Sequence, residues 1–233
     1  MDSVKRWQAI SQQIVDAAEA ARQTADAVTL VAVSKVFGAE AIWPVIAAGQ
    51  RVFGENRVQE ARDKWPGLRE RLAAKSGDDV ELRLIGPLQS NKARDAVALF
   101  DVIETVDREK IAGALADEMD KQKRQLPVLV QVNTGSEDQK AGVSPNATAA
   151  FVDRCRTQFD LSVLGLMCIP PIDEPPQEHF TLLASLADET GLPVRSMGMS
   201  ADFEVAIACG ATHVRVGSAL FGPRPKPAMF KER

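Results

Sequence analysis

The feature that most constrains the fold is a regular alternation of short aliphatic segments with longer amphipathic segments along almost the whole chain. The short segments are rich in β-branched residues, which is typical of strands buried on both faces. The longer segments have apolar residues at three- and four-residue steps, as amphipathic helices do. The predicted strands are Val28–Lys35, Arg51–Gly54, Glu81–Ile85, Asp101–Val106, Leu126–Val132, Leu161–Met167, Val194–Met199 and Thr212–Val216.

This alternation predicts a single closed barrel of the α/β class, a (β/α)8 TIM barrel formed by residues 28–224. A helix between two strands carries the chain back to the start of the sheet, so successive strands pair in parallel. An open doubly wound sheet is the alternative, but the glycine-rich GxGxxG turn that often follows its first strand does not occur here. The chain also shows no linker and no change of composition that would divide it into several domains.

The two ends of the chain are predicted to lie outside the barrel. An apolar stripe that includes Trp7 and Ile14 predicts an extra N-terminal helix within residues 1–27, packed on the barrel. Residues 225–233 are expected to form a C-terminal tail. Within the barrel, Pro66 predicts the end of the helix that follows the second strand, because proline disrupts a helix interior.

The charge and the cysteines of the chain argue against several classes of ligand. The formal net charge is −4 at pH 7, which gives no electrostatic reason to expect nucleic acid or an anionic membrane as a partner. No apolar run approaches the length of a membrane span. The three cysteines are widely spaced without a CxxC pair, which favours free thiols over a zinc site or a disulfide framework. We therefore expect a cytoplasmic protein without a metal site.

Polar residues and glycines cluster where the predicted strands end, which is the active face of barrels of this class. Gly198–Ser200 lies at the end of the seventh strand, and Gly217–Ser218 follows the eighth. Each turn alone would suit a purely structural role, such as a helix cap. The loops after these two strands often bind phosphate through backbone N–H groups, however, and the two serines add hydroxyl donors. The sequence thus predicts a phosphate site at Ser200, Gly217 and Ser218.

Lys35 ends the first predicted strand and is expected on the same rim as the phosphate site. A solvated lysine is the alternative, since lysines are seldom buried without a partner. Beside a phosphate site, its amine is suited to hold a phosphorylated aldehyde as a Schiff base. Arg215 precedes the eighth-strand turn. If Arg215 faces a pyridine nitrogen, its permanent charge keeps that nitrogen unprotonated. The alternative role for Arg215 is a salt bridge inside the barrel.

Six motifs, in this order along residues 28–224, resemble the YggS/PROSC family of pyridoxal phosphate homeostasis proteins. They are Val31–Lys35, Phe53–Asn56 with Val58–Glu60, Ile85–Lys92, Gly165–Met167, Gly198–Ser200, and Arg215–Gly217 with Phe221–Gly222. The stretch Ile85–Lys92, which reads IGPLQSNK, is the most specific of them. The resemblance implies a fold-type III barrel, similar to the N-terminal domain of alanine racemase, with pyridoxal 5′-phosphate (PLP) as its cofactor.

The resemblance also implies roles for single residues. Lys35 would be the Schiff-base lysine, and Asn56 and Met167 would line the cofactor pocket. Ser200, Gly217 and Ser218 would hold the phosphate, and Arg215 would face the pyridine nitrogen. The chain departs from the family pattern at Arg57 and Arg83, where many relatives have tyrosine and histidine. Neither departure affects the lysine or the phosphate turns.

Three functions are compatible with this site. The resemblance implies a non-catalytic carrier in vitamin B6 homeostasis, which binds PLP and has apo PLP-dependent enzymes as candidate partners. A PLP-dependent amino-acid racemase is the alternative, but two-base racemisation by alanine racemase needs a tyrosine from a second domain, and this chain has no tyrosine. A barrel aldolase, in which Lys35 attacks a sugar phosphate directly, would stay colourless. Without the second domain of the racemase, we expect a monomer.

Overall fold

Eight parallel strands form a closed barrel in the computed structural model, which describes residues 2–135 and 141–223. Each strand pairs with its neighbours in chain order, and the last strand pairs with the first. The structure therefore confirms the predicted (β/α)8 barrel. The strands are β1 (Thr29–Val33), β2 (Val52–Glu55), β3 (Glu81–Leu84), β4 (Val102–Val106), β5 (Val128–Val132), β6 (Val163–Cys168), β7 (Val194–Met199) and β8 (His213–Val216).

Helices surround the barrel wall, and short 3-10 turns at Ser90–Lys92 and Pro145–Ala147 precede two of them. None of the described helices is both long and apolar enough to cross a membrane. The predicted tail, residues 225–233, lies outside the described residues. The helices are α1 (Ser3–Ala20), α2 (Ala39–Ala47), α3 (Val58–Ser76), α4 (Ala93–Leu99), α5 (Glu109–Gln122), α6 (Thr148–Thr157), α7 (Pro176–Glu189), α8 (Phe203–Ala208) and α9 (Ser218–Phe221).

Helix α3 continues through Pro66, so the predicted end at this residue is wrong. Proline in a helix interior costs ~3 kcal/mol, because it lacks an N–H and crowds the preceding turn. The buried face of α3 offsets this cost. Trp65 and Leu72 are almost completely buried, and burying one large apolar side chain contributes about 1.5–3 kcal/mol. The helix ends at Ser76, where Gly77 adopts a left-handed conformation with φ of 74°.

The predicted N-terminal helix is present as α1, which contacts helices α2, α8 and α9. Asp2 caps the helix by accepting a hydrogen bond from the N–H of Val4 (3.3 Å). Arg6 fastens α1 to α9, because its Nε donates to the carbonyl of Leu220 (2.6 Å) and its Nη2 to the carbonyl of Phe221 (3.0 Å). The first helix and the last described helix therefore support each other.

The core has two parts, one on each side of the barrel wall. Successive side chains of a strand face opposite sides. Ala32 of β1 thus packs outward in the large core between strands and helices, whereas Val33 faces inward. Inside the barrel, Val102, Leu129 and Met167 form a small apolar cluster. Arg83, Glu104, Ser196 and Arg215 are buried polar residues inside the same barrel.

Candidate functional site

A cavity of about 260 Å³ opens at the C-terminal ends of the strands. This is the face at which barrels of this class carry their active sites, and the volume suits a small molecule. Six of the seven site residues predicted from the sequence line this cavity: Lys35, Asn56, Ser200, Arg215, Gly217 and Ser218.

Lys35 reaches the cavity because of the alternation of side chains along β1. Val33 faces the barrel interior and lines the cavity, so the next side chain on that side belongs to Lys35. The pairing of β1 with β8 closes the barrel and sets Val33 against Gly217. A Cβ atom on Gly217 would lie 3.2 Å from the Cβ of Val33. Barrel closure thus sets the end of β1 beside the turn that follows β8.

Ser200 links the two turns of the predicted phosphate site. Its Oγ accepts hydrogen bonds from the N–H of Gly217 (3.4 Å) and from the hydroxyl of Ser218 (3.3 Å). Asp202 stabilises the turn that carries Ser200, because its Oδ1 accepts a hydrogen bond from the N–H of Met199 (2.6 Å). Hydroxyl and N–H donors therefore converge on one side of the cavity, and such donors are what an anionic group requires.

Gly198 allows the turn after β7 to approach helix α8 closely. Its φ is +90°, a value that side-chain-bearing residues rarely adopt. A Cβ at this position would lie only 2.6 Å from the Cβ of Ala206 and 3.0 Å from the Cα of Phe203. Glycine is therefore needed for the turn that brings Ser200 to the cavity.

Arg215 is buried inside the barrel and borders the cavity. Its Nη1 donates to the Oγ of Ser196 (2.8 Å), and its Nη2 donates to the carbonyl of Cys168 (2.8 Å). Ser196 donates to Oε2 of Glu104 (2.6 Å), and Oε1 of Glu104 accepts a hydrogen bond from Arg83 (2.9 Å). This network fixes the orientation of the Arg215 guanidinium.

In this network, buried charged and polar side chains surround the carboxylate of Glu104. Burial by itself raises the pKa of Glu104, but Arg83, Arg215 and the Ser196 hydrogen bond outweigh it, so the pKa lies below its usual value. His213 lies near the same arginines, and burial together with Arg83 lowers the pKa of His213 to about 4. At neutral pH the carboxylate is therefore ionised and this imidazole is neutral.

Met167 is not part of the cavity wall, in contrast to the expectation from the resemblance. It is fully buried and packs against Val102 and Leu129 inside the barrel. Strand β6 runs on to Cys168, so Met167 lies within the strand rather than beyond its end. Ile169, the next residue on the same side of the chain, lines the cavity instead.

Sequence reasoning also missed much of the apolar wall. Phe37, Ile85 and Ile169 line the cavity, and the ring of Phe37 packs on that of Phe221, with 5.2 Å between centroids. A signal was available for the first of these residues. Phe37 follows Lys35 by two positions in the same segment after the first strand, which makes it a candidate for the same rim.

The chemistry of these residues fits PLP. The cavity combines a lysine amine, hydroxyl and N–H donors, a guanidinium with fixed orientation and an apolar wall. An amine suits an aldehyde, convergent donors suit a phosphate, and apolar side chains suit a flat ring. All these groups belong to one cavity of limited size.

Comparison with known proteins agrees with this reading of the cavity. The family model described as alanine racemase, N-terminal domain, matches residues 8–225. A pyridoxal phosphate homeostasis protein from Pasteurella multocida is 39% identical over 225 residues, which span 92% of this chain and 94% of the relative. The protein of the same name from Escherichia coli is 38% identical over 227 residues, with coverage of 92% and 94%.

Solved structures give the same result. PipY of Synechococcus elongatus with PLP bound superimposes with a TM-score of 0.79 at 34% identity, covering 94% of this chain and 100% of PipY. An alanine racemase from Clostridium difficile superimposes with a TM-score of 0.69 at 15% identity, covering 95% of this chain and 58% of the racemase. The second likeness concerns the fold alone.

Proposed function

This chain belongs to the family of pyridoxal phosphate homeostasis proteins, and we propose that it binds PLP in the cavity at the barrel mouth, with Lys35 as the covalent ligand. The observation that carries the proposal is the convergence of the Lys35 amine with the hydroxyls of Ser200 and Ser218 in one cavity. PLP supplies an aldehyde that a lysine amine attacks and a ring system that absorbs visible light once linked.

The other lining residues receive roles that follow from their chemistry. Ser200, Gly217 and Ser218 would hold the phosphate through hydroxyl and N–H donors. Arg215 keeps a permanent positive charge at the cavity, which disfavours protonation of a ring nitrogen that faces it. Asn56 would contribute a side-chain amide to the same wall.

We propose further that the protein carries PLP without turning over a substrate. The chain contains no tyrosine, so it lacks the second base of two-base racemisation. The relatives carry the name of homeostasis proteins, not of enzymes. Recipients of the cofactor would be apo PLP-dependent enzymes of the cytoplasm, a reducing compartment that suits the free thiols of Cys155, Cys168 and Cys209.

Titration of the purified protein with PLP tests both parts of this proposal. After removal of free PLP, we expect visible absorbance of the protein that saturates when each chain holds a PLP molecule. Addition of L- or D-alanine to the loaded protein is then expected to give no racemisation above the rate with PLP alone. A protein that retains no visible absorbance after removal of free PLP would contradict the binding proposal. Sustained racemisation that disappears in a Lys35 variant would overturn the carrier proposal.

Replacing Ser200 with alanine is expected to weaken PLP binding about tenfold, equivalent to ~1.4 kcal/mol, because a charged hydrogen bond and the order of the turn are lost. Titration with pyridoxal, which lacks the phosphate, should give the same affinity for the variant and the wild type. Ser185→Ala, on the exposed side of α7, is the matched control. Equal weakening for PLP and pyridoxal would mean that Ser200 does not serve the phosphate.

A further inference from the structure

Lys35 occupies a tight turn whose backbone is unfavourable for its own sequence. The N–H of Phe37 donates to the carbonyl of Ser34 (3.2 Å), which closes a four-residue turn around Lys35 and Val36. Val36 has a φ of +64°, a left-handed conformation that glycine or asparagine adopts readily and that a β-branched residue avoids. Val36 is 48% exposed, so its own packing does not hold the turn.

Lys64, on helix α3, binds both ends of this turn. Its Nζ lies 2.9 Å from the carbonyl oxygen of Ser34 and 3.0 Å from that of Phe37. The same ammonium group lies 3.0 Å from Oε1 of Glu60 and 2.9 Å from Oε1 of Glu55. The Lys64 side chain is only 8% exposed, so water competes little for these contacts.

Glu60 adds a contact at the middle of the turn. Its Oε1 accepts the N–H of Val36, the residue with the left-handed backbone. Glu60 also pairs with Lys64 across one turn of α3. Helix α3 therefore holds the turn at three backbone groups, the carbonyls of Ser34 and Phe37 and the N–H of Val36.

A purely structural role for Lys64 is the competing explanation. Glu55 is buried, and its Oε1 accepts hydrogen bonds from the hydroxyl of Ser34 and from Nε1 of Trp65. Burial raises the pKa of Glu55 in spite of these partners and of Lys64. If Lys64 served only to neutralise Glu55, its loss would lower stability without changing the affinity of the folded protein for the cofactor.

From this geometry we infer that Lys64 and Glu60 are positioning residues, which hold the Lys35 turn in the left-handed form that directs the lysine into the cavity. The inference rests on the proposed binding of PLP by Lys35. The same turn carries Phe37, whose ring packs on Phe221 of α9. The contacts of α3 therefore also stabilise part of the apolar wall.

The test first removes the contacts between α3 and the turn. It then replaces Val36 with glycine, so that the turn no longer needs those contacts. Lys64→Met is expected to weaken PLP binding about tenfold, because the valine turn loses the contacts that hold it. Val36→Gly alone should bind within about twofold of the wild type, since glycine adopts the left-handed conformation without strain. The double variant should recover to within about threefold of the wild type, because its turn no longer needs the contacts. Affinities are measured by visible absorbance at a temperature at which circular dichroism shows folded protein.

Matched variants separate the possible results. Lys75→Met removes a charge from an exposed part of the same helix and should bind PLP as the wild type does. If Lys64→Met does not fold, Glu60→Ala takes its place, with the same rescue by Val36→Gly expected. A folded Lys64→Met protein with wild-type affinity, or a double variant no better than the single, would overturn the inference. A wild-type protein without visible absorbance would overturn the proposed function and this inference with it.

Discussion

Replacing Lys35 with alanine is expected to abolish the visible absorbance that PLP gives with the wild-type protein. Of the described residues that line the cavity, Lys35 alone carries an amine, so the variant cannot form the covalent link. The proposed phosphate ligands stay in place, and PLP should still bind, but roughly 100-fold more weakly, equivalent to about 2.7 kcal/mol. Borohydride reduction of the wild-type complex followed by peptide mapping should label Lys35.

Lys92→Ala provides the control for this variant. Lys92 ends the 3-10 turn that follows β3 and thus lies on the same rim of the barrel. Its removal changes the charge of the rim without changing the cavity, so the absorbance should equal that of the wild type. Wild-type absorbance in Lys35→Ala, with the reduced label on a different lysine, would refute the covalent role of Lys35 and leave the fold unaffected.

The second large effect is expected at Glu104, whose replacement with glutamine should destabilise the protein by ~3–5 kcal/mol. Glu104 is fully buried and contacts Arg83 and Ser196, which in turn contacts Arg215. Glutamine keeps the shape of the side chain but removes the carboxylate charge beside the buried Arg215, and it leaves Arg83 paired with Glu81 alone among the described residues. Urea unfolding followed by circular dichroism measures the loss as a lower midpoint at an unchanged slope.

Glu109→Gln is the matched control, because it breaks an exposed ion pair with Arg154 (3.3 Å), for which about 0–1 kcal/mol is expected. The contribution of Glu104 to the free energy of unfolding should also depend on pH. Its pKa is lower in the folded protein than in the unfolded chain, so its stabilisation is present at neutral pH and is lost as the pH falls through the folded value. Equal midpoints for Glu104→Gln and the wild type at pH 7 would contradict this account.

The strands and the rim residues could be predicted from the sequence because they follow local patterns. Strand β7 was predicted with the bounds that the structure has, Val194–Met199, since the turn residues Gly191 and Ser200 border it on either side. The end of α3 was predicted wrongly, because burial of Trp65 and Leu72 against the barrel outweighs the local effect of Pro66. Local preference decides an element only where packing does not oppose it.

The supporting contacts of the site could not be predicted, because they join residues that are distant in the chain. Ser196 and Glu104 are 92 positions apart, and their hydrogen bond depends on how far each strand extends along the barrel. Val36 is a second case, since a valine gives no local reason to expect a left-handed turn. That conformation follows from Lys64 and Glu60, which belong to another element.

The closure of the barrel between β1 and β8 has a consequence for synthesis of the protein on the ribosome. Lys35 leaves the ribosome long before Gly217 and Ser218 do. A chain synthesised only as far as β7 therefore has the lysine but lacks the proposed phosphate turns, and we expect it not to retain PLP. Since a ligand stabilises only the state that binds it, PLP would stabilise finished barrels and leave incomplete chains to cellular proteolysis.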